Sequence, residues 1–171
     1  MEFKKRGGEK IPDVVQYIKD YLAHEPGTFD IAIGCDSKPP KGFHIEFYNV
    51  IVLHRTIDGV GRGGHAIYRK IRTTSFLGTR KLQIMNRLWK EIEISIETAK
   101  ELEKAGVFDS EKLNSFKINI HIDCNTDNKF DSNPVYESAV GYVKSYGYEC
   151  NAKPYAWAAS YVADALTRGD F

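Results

Sequence analysis

Two segments of the chain end alike. Ile31-Ala32-Ile33-Gly34-Cys35-Asp36 and Asn119-Ile120-His121-Ile122-Asp123-Cys124 each place isoleucine at every second position and an aspartate at or near the end. A period of two is that of a strand packed on one face, with Asp36 and Asp123 opposite the isoleucines. In open mixed sheets, ligands collect beyond the carboxyl ends of parallel strands, and neighbouring strands lie about 4.8 Å apart. As parallel neighbours, these two strands would set two carboxylates side by side. Like charges that close call for a proton or a cation, and a hard divalent ion with oxygen ligands meets that need. In the plainer alternative, Asp36 opens a turn with Ser37 and Asp123 caps Thr126 or a loop. Matched positions on two strand ends favour the metal reading.

Further carboxylates come from helical segments. At about 100° per residue, Glu91 borders the apolar stripe of a long helix on the Leu88 and Ser95 side, whereas Glu93 borders it near Trp89 and Glu97 faces away. An ion-binding carboxylate must point inward, so Glu91 is the third candidate and Glu93 the reserve. Asp164 is the fourth. It shares a helix face with Trp157, Ser160 and Tyr161, or else pairs with Arg168 one turn on.

Other features carry less. Gly59-Val60-Gly61-Arg62-Gly63-Gly64 matches a dinucleotide-binding string, but a strand follows where a helix is required, so it reads as a flexible hairpin loop. His121-Ile122-Asp123-Cys124 lacks a C-x-x-C partner for zinc; His121 is expected to support Asp123 or to pack. Cys35 and Cys124 read as small fillers on the isoleucine side. Ser37 has no evident base beside it, which argues against a serine nucleophile. Tyr155, Trp157 and Tyr161 can stack bases, although core packing is the plainer expectation.

The elements that must position these residues follow from periodicity. Residues 1–10 read as a loose tail and 11–25 as a helix. Residues 29–36, 44–55 and 65–74 read as an antiparallel meander. A helix over 79–105, a strand over 116–124, a helix over 134–146, a strand over 148–153 and a helix over 155–168 follow. That order predicts one α/β domain with a mixed sheet flanked by helices.

The 171 residues suit a single domain large enough to fold without staples. With 24 basic and 23 acidic side chains, net charge is near zero, and aromatic residues are well spread, which excludes dominant disorder. No run of eighteen apolar residues occurs, so no membrane span is expected. The N-terminus lacks the apolar run of a signal peptide. Cys35, Cys124 and Cys150, an odd and unpatterned set, predict reduced thiols in a cytoplasmic protein. Charge is uneven. Arg55, Arg62, Arg69, Lys70, Arg72, Arg80, Lys81, Arg87 and Lys90 face Asp58 alone over residues 55–90. That stretch is either a phosphate-facing strip or a solvated outer face.

The motifs Ile33-Gly34-Cys35-Asp36-Ser37, His121-Ile122-Asp123 and 153–164 (KPYAWAASYVAD) resemble those of the bacterial ribonuclease H-like family often called YkuK-type, over about residues 29–168. The resemblance implies a ribonuclease H-like fold: a five-stranded mixed sheet, its first three strands antiparallel and the fourth beside the first, here with an extra N-terminal helix. It matches Asp36 to the first-strand aspartate of such nucleases, Asp123 to that of the fourth strand, Glu91 to the glutamate of the first core helix, and Asp164 to the acidic residue of the last. The turn over residues 124–131 departs from the Gly- and Lys-containing turn of such relatives.

The leading expectation is a nuclease dependent on Mg²⁺ or Mn²⁺ that hydrolyses RNA, DNA or hybrid phosphodiesters. Asp36 would bridge two ions, Glu91 and Asp123 would each complete one, and Asp164 would serve the hydrolytic side. The alternatives are a catalytically inactive ribonuclease H-like module that binds nucleic acid or protein, and a hydrolase of small phosphoesters.

Overall fold

The structure is a computed structural model. It describes residues 2–38, 42–114, 118–125, 127 and 133–169, with 133 and 134 as backbone only. In chain order the elements are β1 (Phe3–Lys5), β2 (Lys10–Ile11), α1 (Val14–His24), β3 (Thr28–Ser37), β4 (His44–Ile57), β5 (Val60–Thr74) and α2 (Arg80–Lys104). There follow β6 (Asn119–His121), α3 (Asn133–Ser145), β7 (Glu149–Asn151), a π-helical stretch (Ala158–Ala163) and α4 (Asp164–Arg168). No described helix is long and apolar enough to cross a membrane.

The strands form one mixed sheet in the order β2-β1-β5-β4-β3-β6-β7. β3, β4 and β5 are the antiparallel meander. β6 returns parallel to β3, with Ala32 opposite Asn119 and Gly34 opposite His121, and β7 pairs parallel to β6. The sheet therefore has seven strands, not five. The two additional ones come from the segment read as a loose tail and from Ile11, read as the start of a helix that begins only at Val14. Phe3 is fully buried, and Lys4 pairs with Tyr68 on the β5 edge. Phe3 and its partner Ile11 are both buried in the core and dock a segment whose residues between them are polar or glycine and show no period.

The flexible loop expected at the glycines is also corrected. Asp58 and Gly59 both adopt positive φ (52° and 74°), and Ile57 pairs with Val60. This two-residue turn suits the twist of a hairpin, so Gly61, Gly63 and Gly64 fall inside β5. The expected strand over 116–124 is shorter: only 119–121 are strand, and Phe116 and Lys117 lie outside the described residues.

The two faces of the sheet are covered unequally. On one, Ile31, Ile33, Ile51, Leu53 and Ile120 pack with Ile18 and Leu22 of α1, Leu88, Ile92 and Ile96 of α2, and Val135, Ala139 and Val143 of α3. On the other, Ala32, Val50 and Val52 meet Ala158, Ala163 and Leu166. α1 starts at Asp13, whose side chain accepts a hydrogen bond from Gln16 N (3.0 Å). α2 starts at Thr79, which accepts from Leu82 N.

A polar network is sealed beneath α2. Arg69 is buried; its Nε donates to Asn49 Oδ1 (2.9 Å) and its Nη2 to Thr98 Oγ1 (2.8 Å). Asn49 Nδ2 donates to Gly34 O (3.0 Å). Arg55, Lys70 and Lys90 pair with Glu25, Glu46 and Glu93. The basic stretch is thus not one continuous strip. Arg72, Arg80 and Lys81 remain exposed where β5 leads into α2.

Candidate functional site

The geometry begins with a close approach. Gly34 lies on the β3 face that meets the C-terminal segment, and a Cβ there would stand 2.7 Å from Ala159 N. Ala158 and Ala159 lie against it, and both are fully buried, as is Ala163. Only small residues on both sides allow this spacing, and it brings the segment carrying Ser160, Asp164 and Thr167 over the end of β3. The π-helical winding runs through Ser160, a feature frequent at functional sites.

Asp36 follows Gly34 on the same face. Its Oδ1 accepts from Ser37 N (2.8 Å), and the Thr167 hydroxyl lies 3.2 Å from its Oδ2. The same hydroxyl is 3.5 Å from Asp164 Oδ1, so both carboxylates converge on one oxygen. Burial pushes the Asp36 carboxyl up to about 6, helped next by the Asp123 charge and less by Asp164.

Asp123 follows β6 on the same side of the sheet. Its Oδ1 accepts from Ser160 Oγ (3.0 Å) and pairs with Lys153 Nζ (2.8 Å). Asp164 also pairs with Arg168 at 3.2 Å, so its two expected partners, the ion pair and the cluster, coexist.

Glu91 approaches from the α2 side. It is 4% exposed, and Ser37 Oγ donates to its Oε1 at 2.6 Å. Burial first, then the charge of Asp36, holds its carboxyl well above the ordinary range. Glu93, the reserve, sits half-exposed on Lys90. Helix phase separated the two correctly, because Glu91 lies on the buried stripe.

His121 packs and does not support Asp123. Its Nδ1 accepts from Ala158 N (3.0 Å), its ring meets Trp157 edge-on, and Nε2 has no partner among the described residues. Burial takes its pKa down to about 4. Cys35 and Cys124 are buried fillers, and all three cysteines are free. The core packing expected of Tyr155 and Tyr161 is overturned: they are 75% and 66% exposed, and Trp157 alone of the three packs. Thr126 lies outside the described residues, so the expected cap from Asp123 has no structural counterpart to describe.

Sequence reasoning missed Lys153, Ser160 and Thr167 as site residues. Lys153 and Ser160 stood in a quoted motif, but no spacing rule links them to Asp123, 30 and more residues upstream.

An all-oxygen donor set of concentrated negative charge suits a hard divalent ion. Yet no three His, Cys, Asp or Glu side chains among the described residues stand in ligating geometry. Asp36, Glu91, Asp123 and Asp164 are each turned toward a hydroxyl or a cationic side chain. The residues fit an ion in chemistry and charge, while their side chains engage these hydroxyl and cationic partners.

Comparison with curated proteins and with solved structures gave no match. The model of the family described as Ribonuclease H-like matches residues 13–168. α1 falls inside that span, so it is not an addition to the matched core. The strand order and the family match agree, and the narrower YkuK-type resemblance is consistent with both. The chain belongs to the ribonuclease H-like family.

Proposed function

We propose that this protein is a divalent-metal-dependent nuclease acting on nucleic acid phosphodiesters. The observation that carries this reading is the gathering of carboxylates from separate elements around the carboxyl ends of the parallel pair β3 and β6. Thr167 stands between Asp36 of β3 and Asp164 of α4, Ser160 of the same segment holds Asp123 after β6, and Ser37 beside Asp36 holds Glu91 of α2. Asp36, between Asp123 and Asp164, is the central ligand. Asp123 and Asp164 flank it, and Glu91 closes the site from beneath. Mg²⁺ or Mn²⁺ held there would activate a water and neutralise charge on the leaving oxygen. Ser37, Ser160 and Thr167 orient the carboxylates. Exposed Tyr155 and Tyr161, beside Lys153 and Ser160, offer faces for bases. Arg72, Arg80 and Lys81 offer charge for the backbone.

The test is cleavage of labelled RNA, DNA and hybrid substrates in Mn²⁺ by wild type and Asp36→Asn. Loss of cleavage in the variant is expected; cleavage that survives it overturns the reading.

The lack of a three-ligand group among the described residues favours a second reading, a module that binds nucleic acid without cutting it. Such a module binds equally well in EDTA, with a steep salt dependence.

A further inference from the structure

Lys153 is held beside Asp123 by the backbone. Ile122 N donates to Asn151 O (2.9 Å), and Lys153 N donates to Cys124 O (3.2 Å). These two bonds continue the β6–β7 pairing past its last strand residues and bracket Asp123 between them. The lysine side chain faces Asp123 as a cross-strand neighbour, and Nζ reaches Oδ1 at 2.8 Å. Both side chains are largely covered, at 35% and 22% exposure.

We propose that Lys153 is a resident cation of the site, filling at Asp123 the position of a second divalent ion, so that the chain binds one ion, at Asp36, instead of two. This rests on reading the carboxylate cluster as a cation site. The ammonium and the Ser160 hydroxyl converge on one oxygen of Asp123. Asp164 has Arg168 at 3.2 Å, whereas Asp36 is met by the neutral Ser37 N–H and Thr167 hydroxyl. The position left for an added cation is therefore at Asp36. Burial works against the charge on Lys153, but the Asp123 hydrogen bond and the charges of Asp123, Asp36 and Asp164 together raise its pKa. A tethered ammonium has an effective concentration that a free ion must outcompete.

Bound Mn²⁺ per chain, counted by the loss of the free-ion EPR signal and by calorimetry, tests this in the full-length protein. Wild type should take up one ion. Lys153→Met should take up a second, at least about tenfold more tightly than wild type does. Lys153→Arg, which keeps the charge, should return the count to one and guards against a folding artefact. Asp36→Asn should lose the first ion. Two ions in wild type, or one in both wild type and Lys153→Met, overturns the role of Lys153 and leaves the nuclease reading standing. No uptake by either overturns both.

Discussion

The hydroxyl of Ser37 donates a 2.6 Å hydrogen bond to Oε1 of Glu91, joining the end of β3 to the middle of α2 in a buried contact. Its neighbour Asp36 points to the opposite face of the same strand, toward Thr167. The end of β3 thus engages carboxylates on both faces of the sheet through adjacent residues. Removing the hydroxyl leaves a buried carboxyl without its donor. Ser37→Ala should cost about 1–3 kcal/mol in denaturant unfolding. A change below a few tenths of a kcal/mol would show that this bond does not anchor Glu91.

Asp36 makes metal-free stability depend on pH. Its folded pKa of about 6 lies above the unfolded value near 3.9, so the native state binds the extra proton. The resulting destabilisation is full above about pH 6 and vanishes below the unfolded value. His121, with its pKa lowered to about 4 by burial, acts in the opposite sense as pH falls from about 6.5. The difference between Asp36→Asn and wild type cancels His121 and leaves the aspartate together with its effect on Glu91. In EDTA at pH 7.5 the variant should be more stable by about 1–3 kcal/mol, with the gap closing toward pH 4. A constant gap across that range would count against a desolvated Asp36.

The approach at Gly34 leaves no room for a methyl group, since its Cβ would lie 2.7 Å from the Ala159 backbone nitrogen. Gly34→Ala should cost about 1–3 kcal/mol. It should also lower cleavage beyond its effect on stability, because it lifts the segment bearing Ser160 and Asp164 off β3. Normal thermal unfolding together with normal turnover would contradict this geometry.

Tyr155 and Tyr161 are exposed in the segment that also carries Lys153, Ser160 and Asp164. Replacing both with alanine should leave the unfolding midpoint within error. Single-stranded oligonucleotide binding, measured by anisotropy in Ca²⁺, should weaken by about 1–3 kcal/mol for each stacked base lost. Unchanged affinity would remove these rings from the interface.

Period-two and period-3.6 patterns are short-range signals, and they were strong where one face of an element is buried. β3, β4, α1, α2 and α3 were legible for that reason. Glu91 was separable from Glu93 by helix phase alone. β1 and β2 were not legible, because three and two residues are too few to show a period and their burial depends on the β5 edge. The final helix was legible as a helix, but not its π-helical winding or the exposure of Tyr161. Those belong to a segment whose backbone lies against Gly34, a contact between residues far apart in sequence.

The residue types themselves determined that carboxylates would end two isoleucine-striped strands, and that a third would sit on the buried side of a helix. Only the folded chain decided that Asp123 is matched by Lys153, that Thr167 stands between Asp36 and Asp164, and that Ser37 holds Glu91. Such contacts join residues far apart in sequence, through the parallel return of β6 and β7 and the descent of the last helix onto glycine. No local pattern encodes them, because their energy comes from burial shared between elements.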